Sequence, residues 1–90
     1  MDTQKLIEER GNKYGDPLEH FSTITAIENI WQVRRLASKS NALGKKHEAA
    51  LAHGVHMIID KLVRAAETPD HLDNWDDIAG YAQCIKGFLS

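Results

Sequence analysis

The apolar residues of this chain recur with the period of an α-helix, and no segment alternates as a β-strand requires. The clearest case runs from about His47 to Glu67, where the apolar residues fall within an arc of roughly 100° at 3.6 residues per turn. These residues are Leu51, Val55, Ile58, Ile59, Leu62 and Ala66. Runs of β-branched and aromatic residues never exceed three or four positions, so strands are not expected. The chain is therefore predicted to be all-α.

Capping signals indicate where an earlier helix begins. Asp16 is a natural N-cap, Pro17 suits the first helical position, and Glu19 completes an Asp-x-x-Glu capping box. This helix is predicted to run from Pro17 to about Ala37. Its apolar face is expected to consist of Phe21, Ile24, Ile27 or Ile30, and Trp31. A shorter helix, from about Thr3 to Arg10, is predicted before it.

The last helix is expected to begin sharply near Asn74. Pro69 ends the preceding helix, and Asp73 or Asn74 can then cap a new one. The residues predicted to be buried share one face and are Trp75, Ile78, Ala82, Ile85 and Leu89. Gly80, in the middle of this helix, costs roughly 1 kcal/mol relative to alanine, which indicates that a neighbouring group approaches closely there.

Three long helices joined by short connections are typical of an antiparallel bundle. We therefore predict one domain spanning residues 1–90, a small antiparallel helical bundle of three principal helices plus a short N-terminal helix. A bundle of this size has little core of its own. Apolar residues also remain outside the expected core, among them Val33, Leu36, Val63 and Phe88. A homo-oligomer, a dimer or a multiple of it, is therefore expected, with the ligand cleft near or across its interface.

The composition excludes several classes of protein. A formal net charge of −2 and an isoelectric point near 6.2 give no general attraction to nucleic acid or to anionic membranes. Cys84 is the one cysteine, which rules out an internal disulfide and fits a reducing compartment. No segment has the length and apolarity of a membrane span or a signal peptide. A cytoplasmic protein is expected, with neither a nucleic-acid nor a membrane partner.

Polar residues occupy two helix flanks that an antiparallel packing would bring together. The first flank is basic and comprises Lys61, Arg64 and His71. The second carries hydrogen-bonding groups and comprises Asn74, Asp77 and Tyr81. A cleft between them would suit a small anionic ligand such as a phosphate, which the N–H groups at the helix start could also bind. The alternative is a surface lattice of ion pairs at i, i+4 spacing, such as Asp60 with Arg64.

Two other groups of residues give weaker indications of a functional site. His53 and His56 have metal-ligand spacing, but no glutamate follows His53 as in a zinc protease, so zinc is not predicted. Nothing in the sequence activates Cys84 as a nucleophile. No metal and no cofactor are predicted. The alternative is Mg²⁺, which prefers oxygen ligands, with Glu19, Asp60 and Asp77 as its ligands.

Three segments carry a resemblance to a known family. They are Arg10-Gly11-Asn12-Lys13-Tyr14-Gly15-Asp16-Pro17, Lys61-Leu62-Val63-Arg64, and the run His-Leu-Asp-Asn-Trp-Asp-Asp-Ile-Ala-Gly-Tyr-Ala from His71 to Ala82. With them the chain resembles a family of small, uncharacterised proteins found mostly in phages and prophages. That family is distantly similar to the MazG-type all-α nucleotide pyrophosphohydrolases and to phage domains associated with nucleotide modification. This sequence lacks the paired acidic motifs that those enzymes use for Mg²⁺.

The resemblance and the polar flanks together favour nucleotide binding. The expected ligand is a nucleotide or a phosphorylated small molecule, held without turnover, as a phage-encoded sponge for a host immune signal would do in the host cytoplasm. The residues expected to converge on the ligand are Tyr14, Gly15, Asp16, Lys61, Arg64, His71, Asp73, Asn74, Asp77 and Tyr81. Two alternatives stay open: a Mg²⁺-dependent MazG-like pyrophosphohydrolase, and a helical protein-interaction module.

Overall fold

The computed structural model describes Thr3, residues 16–38 and residues 42–90. Within these residues the chain forms three α-helices and no strand: α1 (Pro17–Ala37), α2 (Lys45–Glu67) and α3 (Leu72–Leu89). The all-α prediction is thus confirmed. The short helix predicted from Thr3 to Arg10 lies, apart from Thr3 itself, outside the described residues. No helix in the described part of the chain is long and apolar enough to cross a membrane.

The start of α1 follows the capping signals in the sequence. Asp16 is the N-cap residue, and its Oδ1 accepts a hydrogen bond from the backbone N–H of Leu18 at 2.8 Å. Pro17 occupies the first helical position, where its missing N–H costs nothing. Glu19 lies in the first turn, where the helix dipole favours a carboxylate. The predicted boundaries of this helix are confirmed.

The start of α3 was predicted two residues too late, and the predicted caps were wrong. The helix begins at Leu72, and His71 rather than Asp73 or Asn74 is the N-cap residue. Asn74 is only 3% exposed, so its side chain packs against the protein instead of capping a helix end. The indole N–H of Trp75 donates to the carbonyl of Pro69 at 2.9 Å, which ties the first turn of α3 to the preceding turn.

The middle helix, α2, contacts α1 on one side and α3 on the other. The small core between α1 and α2 consists of Ile24, Ile59 and Val63, with Ile27 and Val55 packed against it. Among the described residues, α1 and α3 make no extensive contact with each other. The helices therefore form an open layer with α2 in its centre, and not a closed bundle.

The open layer explains which predictions about the core failed. Because α2 is covered on two opposite sides, its buried residues lie along two lines, and the single predicted stripe is only partly buried. Leu62 was expected in the core but is 45% exposed, while Val63 was expected outside it but is buried. On α3, Trp75 and Leu89 are also 44% and 45% exposed, against expectation.

On α1, Phe21 and Ile30 are 65% and 68% exposed, although both were candidates for the apolar face. Only Ile24 of that face is fully buried. The radius of gyration is 15.3 Å, compared with about 12 Å for a compact domain of this length. The chain thus leaves an unusual amount of apolar surface uncovered.

The close helix approach expected at Gly80 occurs instead at Gly54. A Cβ at Gly80 would meet no described atom within 4 Å, so the prediction was wrong for this residue. A Cβ at Gly54 would lie 2.9 Å from both Cγ1 and Cδ1 of Ile85. The absence of a side chain at Gly54 therefore lets Ile85 of α3 pack directly against the backbone of α2.

Candidate functional site

A buried ion-pair network lies where the start of α1 meets the end of α2. Nε2 of His20 donates to Oδ1 of Asp60 at 3.0 Å, and Nε of Arg64 donates to the same oxygen at 3.1 Å. The side chains of His20 and Asp60 are 6% and 16% exposed. The other ring nitrogen of His20, Nδ1, is buried and has no hydrogen-bond partner in the described part of the chain. Asp60 therefore joins two cationic or hydrogen-bonding groups from different helices.

Asp60 is negatively charged at neutral pH despite its burial. Burial by itself raises the pKa of this carboxyl, but the hydrogen bonds from His20 and Arg64, together with the guanidinium charge, outweigh it. The net result is a pKa below the ordinary aspartate value. An ionised Asp60 holds the Arg64 side chain in a fixed direction.

A groove of about 330 Å³ opens directly over this network, and we call it the Arg64 groove. It is lined by Phe21, Ile24, Thr25, His56, Asp60 and Arg64. Phe21 is exposed at its edge. Nδ1 of His56 donates to Glu28 at 2.5 Å, so the imidazole is also held in place from α1. The groove thus combines an aromatic ring, a guanidinium, an imidazole and a hydroxyl.

A second groove, of about 340 Å³, lies at the opposite end of the α1–α2 pair. Arg35 and Glu48 form an ion pair across it, and Nε of Arg35 donates to Oε2 of Glu48 at 3.2 Å. This pair, with a hydrogen bond from the backbone N–H of Leu43, lowers the pKa of Glu48 against the opposing effect of desolvation. Most of the residues that line this groove are apolar, and Arg35 and Glu48 already pair with each other. The groove therefore has fewer groups with which to bind a polar ligand than the Arg64 groove has.

On the other side of α2, an ion pair occupies the place of the predicted cleft. Nζ of Lys61 lies 3.1 Å from Oδ2 of Asp77, which links α2 directly to α3. Tyr81 is partly buried one turn further along α3. Lys61 and Arg64, expected together, thus pair with carboxylates at two different helix interfaces.

The remaining predicted site residues are spread over the molecule. Asp16 caps α1, while His71 and Asp73 lie at the start of α3 next to the buried Asn74. Tyr14 and Gly15 lie outside the described residues. The structure therefore brings Lys61 together with Asp77. It places Arg64 with Asp60, the pair expected from the i, i+4 spacing, and with residues of α1 that the sequence did not suggest.

Sequence reasoning missed His20, Phe21 and Thr25 as neighbours of Arg64. The signal that could have found them is the antiparallel pairing of α1 with α2, which places the start of one helix beside the end of the other. The i, i+4 spacing of Asp60 and Arg64 was recognised, but α3 was taken as the helix that faces Arg64. In the structure, α1 faces Arg64.

The carboxylates do not gather into a metal centre in the described part of the chain. No three histidine, cysteine or acidic side chains there lie close enough to hold a metal ion. Of the alternative Mg²⁺ ligands, Asp60 is bound by His20 and Arg64, and Asp77 pairs with Lys61. Glu19 lines a separate groove at the start of α1.

Fold and site together define a small all-α protein, an open three-helix layer whose central helix carries a network of charged side chains. The chain belongs to the family described as Domain of unknown function (DUF6378), whose model matches residues 1–88. No curated protein and no solved structure is significantly similar to it.

Proposed function

We propose that this chain is a small phage-type nucleotide-binding protein that holds a nucleotide or a phosphorylated small molecule in the Arg64 groove without hydrolysing it. The observation that carries the proposal is the juxtaposition, in one groove, of an oriented guanidinium with an exposed aromatic ring. These are the two groups that a phosphate and a base respectively require. A volume of about 330 Å³ is within the range of small-molecule sites, which begins at about 300 Å³.

The phosphate end of the ligand is assigned to Arg64. A guanidinium binds phosphate oxygens through charge-assisted hydrogen bonds that depend on its orientation. Asp60 fixes that orientation through Nε of Arg64, and His20 anchors Asp60 in turn. Little side-chain entropy is then lost when the ligand binds, which favours affinity.

The base is assigned to the α1 wall of the groove. Phe21 is 65% exposed, and we assign its ring as the group on which the base stacks. The Thr25 hydroxyl, one turn further along, already donates to the carbonyl of Phe21 at 3.0 Å. Its oxygen is then the acceptor for an N–H of the ligand.

Binding without hydrolysis is favoured because two of the carboxylates that could hold Mg²⁺ already pair with cationic side chains. Both Asp60 and Asp77 are engaged by cationic partners. A magnesium ion would have to compete with those cationic groups for the charge of each carboxylate. The resemblance to phage proteins supports a biological role as a sponge that sequesters a nucleotide signal of the host.

The test is to recover the ligand. The protein is incubated with ATP, AMP and cyclic nucleotides, with and without Mg²⁺, separated from unbound ligand, and heat-denatured. Chromatography of the supernatant should return one nucleotide intact and in stoichiometric amount. Recovery of a cleaved product would support the pyrophosphohydrolase instead. Retention of none of these nucleotides by a protein that circular dichroism shows to be folded would contradict the proposal.

A further inference from the structure

We propose that the outer face of α1 is the surface through which two copies of this chain form a homodimer. The outer face is a row of exposed residues along α1, whose last member also borders the groove beside Arg35. The row comprises Leu18, Ser22, Ala26, Ile30, Val33 and Leu36. All six are exposed and none is charged. The inference does not depend on the ligand.

The apolar members of this face are almost fully open to solvent. Leu18 is 74% exposed, Val33 67% and Leu36 82%. Single exposed apolar residues are ordinary on a protein surface, but a continuous row along one helix marks an interaction surface. The row extends over the whole length of α1.

Two of the four charged residues of α1, and its nearly buried histidine, point toward α2 and not toward water. A solvent-facing helix turns its charges outward and its apolar stripe toward the core. On α1, Glu28 and Arg35 point inward and pair with residues of α2, and the nearly buried His20 does the same. The other two charged residues of α1, Glu19 and Arg34, are exposed beside the outer face. They have opposite signs and lie near opposite ends of the helix, so an antiparallel pairing of two copies brings unlike charges together.

The helix on the other side of the layer shows the ordinary arrangement. The exposed residues of α3 include Asp73, Asp76 and Lys86. Leu72, Trp75 and Leu89 of α3 are exposed as well, but charged residues stand among them, whereas the six residues of the outer face of α1 carry no charge.

A second copy of the chain fits this face better than a charged partner. An interface around a twofold axis brings the same patch of each copy together, so the patch must be complementary to itself. An uncharged face meets its own copy without repulsion between like charges. Its four largest apolar residues, Leu18, Ile30, Val33 and Leu36, are each at least two thirds exposed, so most of their surface is available for burial in an interface.

The test combines light scattering with matched charge substitutions in the full chain. At micromolar concentration the unsubstituted protein should have twice the chain mass of 10.1 kDa. Val33→Glu and Ser22→Glu should reduce the mass to that of one chain, since each places two like charges at the interface. Leu72→Glu changes a leucine of comparable exposure, 70%, on α3 and should leave the dimer intact.

Four results would overturn the proposal. One is an unsubstituted protein of 10.1 kDa, which would mean that another segment of the same chain covers this face. Another is a dimer that survives both α1 substitutions, and the third is one that Leu72→Glu also dissociates. If the α1 variants unfold, the thermal midpoint of the unsubstituted protein is measured at several protein concentrations. The midpoint of a dimer rises with protein concentration. A midpoint independent of concentration would overturn the proposal as well.

Discussion

Nε2 of His20 on α1 lies 3.0 Å from Oδ1 of Asp60 on α2, in a position where both side chains are largely withdrawn from solvent. This contact couples the fold to the proposed function. It fastens one end of α1 to α2, and through Asp60 it also orients the guanidinium that lines the Arg64 groove. The same carboxylate is therefore expected to matter for stability and for ligand affinity.

Asp60→Asn should destabilise the protein by about 1–3 kcal/mol. The substitution keeps the shape of the side chain but removes its charge, so the partly buried Arg64 and His20 lose their charge-assisted partner. Asp77→Asn is the matched control, because Asp77 is 47% exposed in its pair with Lys61, and exposed pairs contribute about 0–1 kcal/mol. Urea denaturation measures both. Equal effects of the two variants would show that Asp60 has no special structural role.

Acid should remove the contribution of Asp60 to stability. Its pKa is lowered in the folded protein, so the stabilisation is complete above the ordinary carboxyl pKa and is lost as the pH falls through the folded pKa. The free energy of unfolding should therefore decrease from about pH 5 downward. Glu48, whose pKa is also lowered, acts in the same direction. The decrease should be smaller in Asp60→Asn than in the unsubstituted protein, and an identical decrease would refute this assignment.

Gly54→Ala and Gly80→Ala should have opposite effects on stability. Alanine favours a helix over glycine by about 1 kcal/mol, and at Gly80 there is open space for the methyl group. At Gly54 the methyl would lie 2.9 Å from Ile85, and overpacking of this kind costs about 1–3 kcal/mol. Thermal denaturation should show a raised midpoint for Gly80→Ala and a lowered one for Gly54→Ala. In the Gly54→Ala background, Ile85→Val should restore part of the lost stability. A raised midpoint for Gly54→Ala alone would contradict the prediction and mean that α3 accommodates the methyl group without a loss of stability.

Local signals predicted the helices well because each depends on a few neighbouring residues. The Asp16–Pro17 start of α1 is an example, since the N-cap bond spans two positions. The packing of the helices was harder to predict because it depends on which faces meet. Val63, for example, was expected to lie outside the core, but α1 covers it.

The candidate site was predictable only in part, for the same reason. Arg64 was recognised from its charge and spacing, but its partners come from both its own helix and α1. Lys61 has the same charge, and yet its side chain belongs to the α2–α3 interface. Sequence spacing within one helix cannot assign residues to one interface or the other, since that depends on where the neighbouring helices lie.

The central claim is that a nucleotide binds in the Arg64 groove, and isothermal titration of the retained nucleotide into three variants tests it most directly. Arg64→Gln should weaken binding by about 1.5–3 kcal/mol, the contribution of a charge-assisted hydrogen bond. Phe21→Ala, which removes no charged group, should weaken binding by about 1–3 kcal/mol through the loss of stacking, with a thermal midpoint that changes little. Lys61→Gln, outside the groove, should bind like the unsubstituted protein. Full affinity in Phe21→Ala and Arg64→Gln, with loss of affinity in Lys61→Gln, would contradict the account and place the ligand between α2 and α3.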